Sequence, residues 1–165
     1  MGASETSTPP VIGKDVDVMS EEAYSGKLED LELYDASSLA PEVTKRIVYG
    51  PGRFWDDYTM RHFSLPPGTV IPEHVHDWPH YMISLSGTGY VTIEGKRWEM
   101  PPMGWAHVPG GLVHGYENPG SKPLVFLCIV PTEGDPHMKL KRFRMEREKK
   151  KKGEVGQVAR DKIKD

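Results

Sequence analysis

Three histidines crowd into one stretch of the chain, GTVIPEHVHDWPHYMISLSG at residues 68–87: His74, His76 and His80. Imidazole is the commonest metal-binding side chain. On a strand, side chains two residues apart share a face, so the rings of His74 and His76 can address one point. Pro79 biases Trp78 towards extended backbone and delivers His80 onto the apolar run YMISLS. A fourth donor, His114, sits in a second Gly/Pro-punctuated stretch, PGGLVHGYEN. Four nitrogen donors and no thiolate suit one divalent ion among Mn, Fe, Co, Ni, Cu and Zn. Because neutral imidazoles leave that ion its full +2 charge, the site favours anionic ligands such as carboxylates and enolates. His62, His107 and His137 read as ordinary surface or core histidines, and Asp56 and Asp57 as solvated loop residues. The sequence has no P-loop, no dinucleotide fingerprint after a strand and no cysteine pair spaced for zinc. No side chain beyond the four ligands is assigned a catalytic role.

The elements that must position these donors read as short strands separated by Gly and Pro turns. Ile47–Tyr49 precedes Gly50-Pro51-Gly52; Tyr58–Leu65 precedes Pro66-Pro67-Gly68. Val70–His76 and His80–Ser86 carry the first three histidines. Tyr90–Glu94, Arg97–Met100, Trp105–Val108 and Val113–Glu117 follow, the last with His114. Leu124–Val130, bounded by Pro123 and Pro131, reads as a buried strand. Both of its faces are apolar, so hydrophobicity does not decide which points inward. Phe126 and Cys128 are favoured for the cavity, Cys128 as an unreactive buried thiol. Trp78 is expected to pack over the site. Tyr58, Met60 and His62, which alternate on the strand before the first histidines, are further candidates for the pocket lining. Residues 21–40, with Leu28, Leu31, Leu33 and Tyr34 among acids, suit a short helix or an edge strand.

The histidine-bearing stretches resemble the two motifs of the cupin superfamily. The first runs Gly, five residues, His-x-His, three or four residues, Glu, six residues, Gly. Gly68, His74, His76 and Gly87 fit it, with His80 in the Glu position. The second runs Gly, five residues, Pro-x-Gly, two residues, His, three residues, Asn. Pro109, Gly111, His114 and Asn118 fit it, while Gly104 stands one residue too near Pro109. The resemblance covers roughly Tyr58 to Pro131, and the His80 variant is similar to small single-domain cupins with a four-histidine, manganese-binding site. It implies an all-β fold, the cupin double-stranded β-helix or jelly-roll barrel. It also implies one divalent metal ion per chain, Mn or Fe favoured, with two open positions for a small anionic substrate. Metal-dependent oxygenase or dioxygenase chemistry is the leading expectation. Non-redox isomerase, cyclase or lyase chemistry is the alternative, and a non-catalytic binding or sensor role the third. Cupin barrels often pair, so a homodimer is expected, with residues 21–49 helping to cover a neighbour.

Composition frames the rest. A chain of 165 residues is long enough for one full core. Residues 1–138 hold 9 Lys and Arg against 19 Asp and Glu, net −10, whereas residues 139–165 hold 12 against 5, net +7. The chain divides accordingly into a flexible N-terminal arm (1–20), a barrel with its N-terminal extension (21–138) and a basic C-terminal tail (139–165). The tail reads as solvated and could form an exposed helix. The acidic body argues against nucleic acid as a partner. No apolar run approaches the ~20 residues that span a bilayer, so no membrane partner is expected. A single cysteine suits a reducing, cytoplasmic location. Met1-Gly2 with Thr6 fits the loose myristoylation pattern, but nothing basic follows to provide a second anchor.

Overall fold

The computed structural model describes residues 25–162, with side chains through residue 153; the arm at 1–20 lies outside the described residues. Proline and glycine set the strand ends, and alternation sets the faces. The strands are β1 (Leu33–Asp35), β2 (Thr44–Tyr49), β3 (Tyr58–Leu65), β4 (Val70–His74), β5 (His80–Ser86), β6 (Gly89–Ile93), β7 (Lys96–Met100), β8 (Trp105–Val108), β9 (His114–Glu117) and β10 (Leu124–Pro131). Among the described residues they form two antiparallel sheets, β1-β2-β3-β10-β5-β8 and β4-β9-β6-β7. This is the expected all-β jelly roll. β1 and β2 extend the larger sheet at its edge, and Ala36, Ala40 and Val43 beside them enter the core. Of the stretch 21–49 expected to help cover a neighbouring copy, β1 and β2 thus pair with this chain's own sheet.

The core lies between the sheets. β10 buries Leu124, Phe126, Cys128 and Val130 on alternate positions. β3 turns Thr59, Arg61, Phe63 and Leu65 inward. The pairing register sets Cys128 opposite Arg61 and Phe126 opposite Phe63. Tyr58, Met60 and His62 therefore occupy the outer face of β3, which corrects their expected place in the pocket lining. Met60 instead joins Tyr81, Ile83, Trp105, Leu127 and Ile129 around a shallow apolar hollow on the outside of the larger sheet. The outer face is as apolar as the inner one, so pattern alone favoured the wrong side of β3.

The basic tail is a helix, α1 (Pro136–Lys162), starting three residues before the expected boundary at 138/139. Asp135 caps it: one carboxylate oxygen accepts the backbone N–H of both His137 and Met138 at 3.1 Å. Pro136 takes the first helical position, where a missing N–H costs nothing. The following KLKRFRMEREKKKK is rich in strong helix formers. Among the described residues no helix is long and apolar enough to cross a membrane.

Candidate metal centre

β4 and β9 pair antiparallel, and their register sets His74 directly opposite His114. His76 follows in the loop after β4, and His80 opens β5. The four rings gather at one end of the barrel interior. His74 and His114 have ring centroids 4.4 Å apart, His76 and His80 4.8 Å, and His80 and His114 5.0 Å. The ligating atoms of His74, His76 and His114 all lie within 4.8 Å of one another. His80 reaches the group through His76, with the two Nε2 atoms 2.9 Å apart.

Backbone and neighbours fix which nitrogen of each ring faces inward. His74 Nδ1 lies 2.8 Å from the Pro72 carbonyl and His114 Nδ1 2.8 Å from the Leu112 carbonyl. A carbonyl only accepts, so both Nδ1 atoms carry the proton and leave Nε2 with a free lone pair. His114 Nε2 is buried and has no hydrogen-bond partner. His80 Nδ1 lies 3.2 Å from Cys128 Sγ, which also accepts from Arg61 Nη2 at 3.0 Å. His76 is held by its face: the Trp78 indole stacks on it at 4.1 Å and 7°.

Three of the rings are shifted towards the neutral form that ligation requires. Burial, then the Arg61 guanidinium, pushes His80 down to about 2. Burial, then the neighbouring His114 and His74, pushes His76 down to about 4. Burial also lowers His114. An orphaned, buried Nε2 facing other imidazole nitrogens is costly without a partner. Nitrogens sharing one ion through bonds of about 2.1 Å lie roughly 3–4 Å apart. The 2.9 Å His76–His80 approach fits that spacing, and the remaining donors need only a small inward movement. The donor set therefore fits a divalent ion held by His74, His76 and His114, with His80 beside them as fourth donor.

These imidazoles open onto a cavity of about 250 Å³ lined by His74, His76 and His80 together with Phe63, Ile71, Trp78, Tyr116, Phe126, Cys128, Lys45 and Arg61. Trp78, Phe126 and Cys128 thus stand where the sequence placed them. Burial pushes the Cys128 thiol up, against the pull of Arg61. Several cavity residues escaped the sequence reading, among them Tyr116, Arg61 and Lys45. Tyr116 follows His114 by two on β9, so alternation alone would have found it. Arg61 and Lys45 gave no such signal. Lys45 donates to Asp135, ninety positions away, and Arg61 Nη1 lies 3.7 Å from the same carboxylate. Burial pushes the Asp135 carboxyl up, but Lys45 and Arg61 together hold it below the usual carboxylate range.

Two substitutions test the supports of the centre. Cys128→Ala leaves the Arg61 and His80 donors without their acceptor, and loss of a hydrogen bond behind a ligand typically weakens metal binding by ~10–100-fold. Chelator competition should show that loss, and Cys128→Ser, which keeps an acceptor, should recover part of it. Gly110 sits where a Cβ would come within 2.0 Å of the Asp77 carbonyl oxygen, in the loop joining His76 to Trp78. Gly110→Ala is expected to cost about 1–3 kcal/mol through overpacking and to displace His76. Thermal denaturation alongside metal titration should show both effects.

Comparison with known proteins agrees with this fold. Residues 61–130 match the family model described as Cupin domain. The structure resembles the polyketide cyclase RemF from Streptomyces resistomycificus (TM-score 0.61, 22% identity, covering 67% of this chain and 80% of that one). It also resembles a predicted oxalate decarboxylase from Thermotoga maritima (TM-score 0.59, 19% identity, covering 66% and 98%). A sugar phosphate isomerase of the cupin superfamily from Silicibacter pomeroyi is similar too (TM-score 0.57, 17% identity, covering 66% and 75%). At these identities the likeness is one of fold. In sequence, 74 residues are 34% identical to the mannose-1-phosphate guanylyltransferase of Klebsiella pneumoniae, 44% of this chain but 16% of that protein. Residues 61–130 thus carry a cupin domain.

Proposed function

We propose that this protein is a metal-dependent enzyme that oxidises a small oxygenated organic anion. The observation that carries the reading is the convergence of imidazoles at one end of a largely apolar cavity. A divalent ion held there supplies Lewis acidity to a carboxylate or enolate oxygen, and Mn or Fe adds redox chemistry with dioxygen, so that oxidative C–C or C=C cleavage becomes accessible. The chain's own residues bind, orient and exclude water. Phe63, Ile71, Trp78 and Phe126 strip water from the substrate body. Tyr116 keeps its proton, because burial drives its pKa well above the usual value; its hydroxyl is a donor and not a base.

What the cavity lacks also favours oxidation over proton shuffling. Asp35, the carboxylate on its lining, is exposed and accepts from the Ser37 backbone N–H and hydroxyl, the contacts that lower its pKa. A carboxylate held in that way is a weak general base. One residue supports a second reading, non-redox isomerase, cyclase or lyase chemistry: His137 also lines the cavity and is partly exposed, so it is placed to take a proton from a substrate. A third role, non-catalytic carrier or sensor, predicts binding without turnover under every condition.

The deciding experiment loads the protein separately with Fe, Mn, Ni and Zn and assays 1,3-dicarbonyl and aryl-alkene substrates with and without oxygen. Oxygen-dependent substrate loss confined to Fe or Mn is the expected result. Equal activity with zinc under anaerobic conditions would overturn it in favour of the non-redox reading.

A further inference from the structure

Beside the imidazoles, the cavity lining carries two buried cationic side chains. Lys45 and Arg61 are 4% and 6% exposed, and both line the cavity. One buried carboxylate, Asp135, faces the two of them. Asp35, also on the lining, is engaged by Ser37. Two buried donors of the lining have no partner: Arg61 Nε on β3 and Tyr116 Oη on β9 of the facing sheet. A buried guanidinium left with an open donor calls for an anionic acceptor, because desolvated charge and unmet hydrogen bonds are both costly.

The apolar residues next to these donors have a definite shape. The Phe63 and Phe126 rings stack at 5.4 Å and 28°, and Phe126 and Tyr116 at 6.1 Å and 25°. The Arg61 guanidinium carbon lies 5.0 Å from the Phe63 ring centre. The aromatic surface thus runs from the cation to the phenol without a break. A flat apolar body laid on these rings would carry an attached carboxylate towards the unpartnered donors of the lining, Arg61 first. A single excess charge matches one anionic group better than two.

We propose that this lining is an anion subsite selecting a monocarboxylate with a flat apolar body, its carboxylate bound by the Arg61 guanidinium and the Tyr116 hydroxyl and its body packed on Phe63 and Phe126. The proposal rests on the reading of this cavity as a substrate pocket and narrows the substrate to an aryl or conjugated acid. A guanidinium and a phenol meeting one carboxylate form charge-assisted hydrogen bonds, the stronger class. A neutral amide of the same shape forfeits that charge.

Trp78, on the cavity lining, supplies a fluorescence readout. The full-length protein, as purified and again after chelator treatment, is titrated with trans-cinnamate and with cinnamamide. The acid is expected to bind at least about tenfold more tightly than the amide in both preparations. Arg61→Gln should bring the two within about threefold of each other, and Tyr116→Phe, which keeps the ring, should reduce the preference several-fold. If Arg61→Gln does not fold, Tyr116→Phe decides, and an unchanged preference there overturns the proposal. Equal binding of acid and amide, or no binding of either, also overturns it. So does an acid preference that chelation abolishes and Arg61→Gln leaves intact; that result would put the carboxylate on the metal and spare the enzymatic reading. An Arg61-dependent preference in a protein that holds no metal would do the reverse.

Discussion

The His74→Ala/His76→Ala double variant should purify with less than about a tenth of the metal carried by the parent protein, since two of the four nitrogen donors are gone and no nearby thiolate or free carboxylate replaces them. His74 and His76 lie at the barrel end and are both partly exposed, and neither forms part of the apolar core between the sheets. Circular dichroism of the variant should therefore match that of the parent, and turnover should vanish with the metal. Elemental analysis of both proteins expressed in medium containing mixed metals checks the effect. Retention of full metal content would remove these residues from the site.

The second large effect falls away from the ligands, at Asp135. Its carboxylate is fully buried, faces Lys45 and Arg61, and caps α1. Removing one partner of a buried ionic group costs about 3–5 kcal/mol, because the remaining charge is left uncompensated. Loss of an N-cap costs ~1 kcal/mol more. For a chain of this size each kcal/mol lowers Tm by roughly 2–4 °C. Asp135→Ala should thus melt roughly 8–24 °C below the parent. Asp135→Asn removes the charge and keeps a capping oxygen, so it should recover only the smaller, capping share. The pH dependence carries the same signature. A carboxyl whose folded pKa is depressed adds stability above its ordinary pKa, and that stability is lost as pH falls through the folded value. The parent should therefore lose stability below about pH 4 more steeply than Asp135→Asn. Denaturant titrations between pH 3 and 7 measure the difference, and parallel curves would mean that the carboxylate is not paired as described.

These two predictions draw on different kinds of legibility. The gathering of histidines was written in local spacing: His74-x-His76, the Pro79 break before His80, and His114 behind its own Gly/Pro turn each depend on a few consecutive residues. Strand boundaries were equally local, and β3, β5 and β8 fall where the Pro and Gly punctuation set them. Orientation was not local. β3 carries an alternating pattern with hydrophobic groups on both faces, and polar Thr59 and Arg61 made the true inner face look solvated. Its sidedness is decided by tertiary partners, with Arg61 facing Cys128 on β10 and Asp135 at the start of α1. The Lys45–Asp135 pair spans ninety positions, and no short-range pattern announces such a contact. Tyr116 is a different case: its place two residues after a ligand histidine already put it on the inward face.

The central claim is that neutral imidazoles at one end of this barrel hold a single divalent ion. X-ray absorption at the metal edge of the Mn- or Fe-loaded protein tests it most directly, since imidazole rings give a distinct scattering pattern and their number can be counted. The account predicts one ion per chain with four imidazole nitrogens in its first shell, falling to two in the His74→Ala/His76→Ala variant if any ion is retained. A first shell of oxygen donors with one imidazole or none would contradict it.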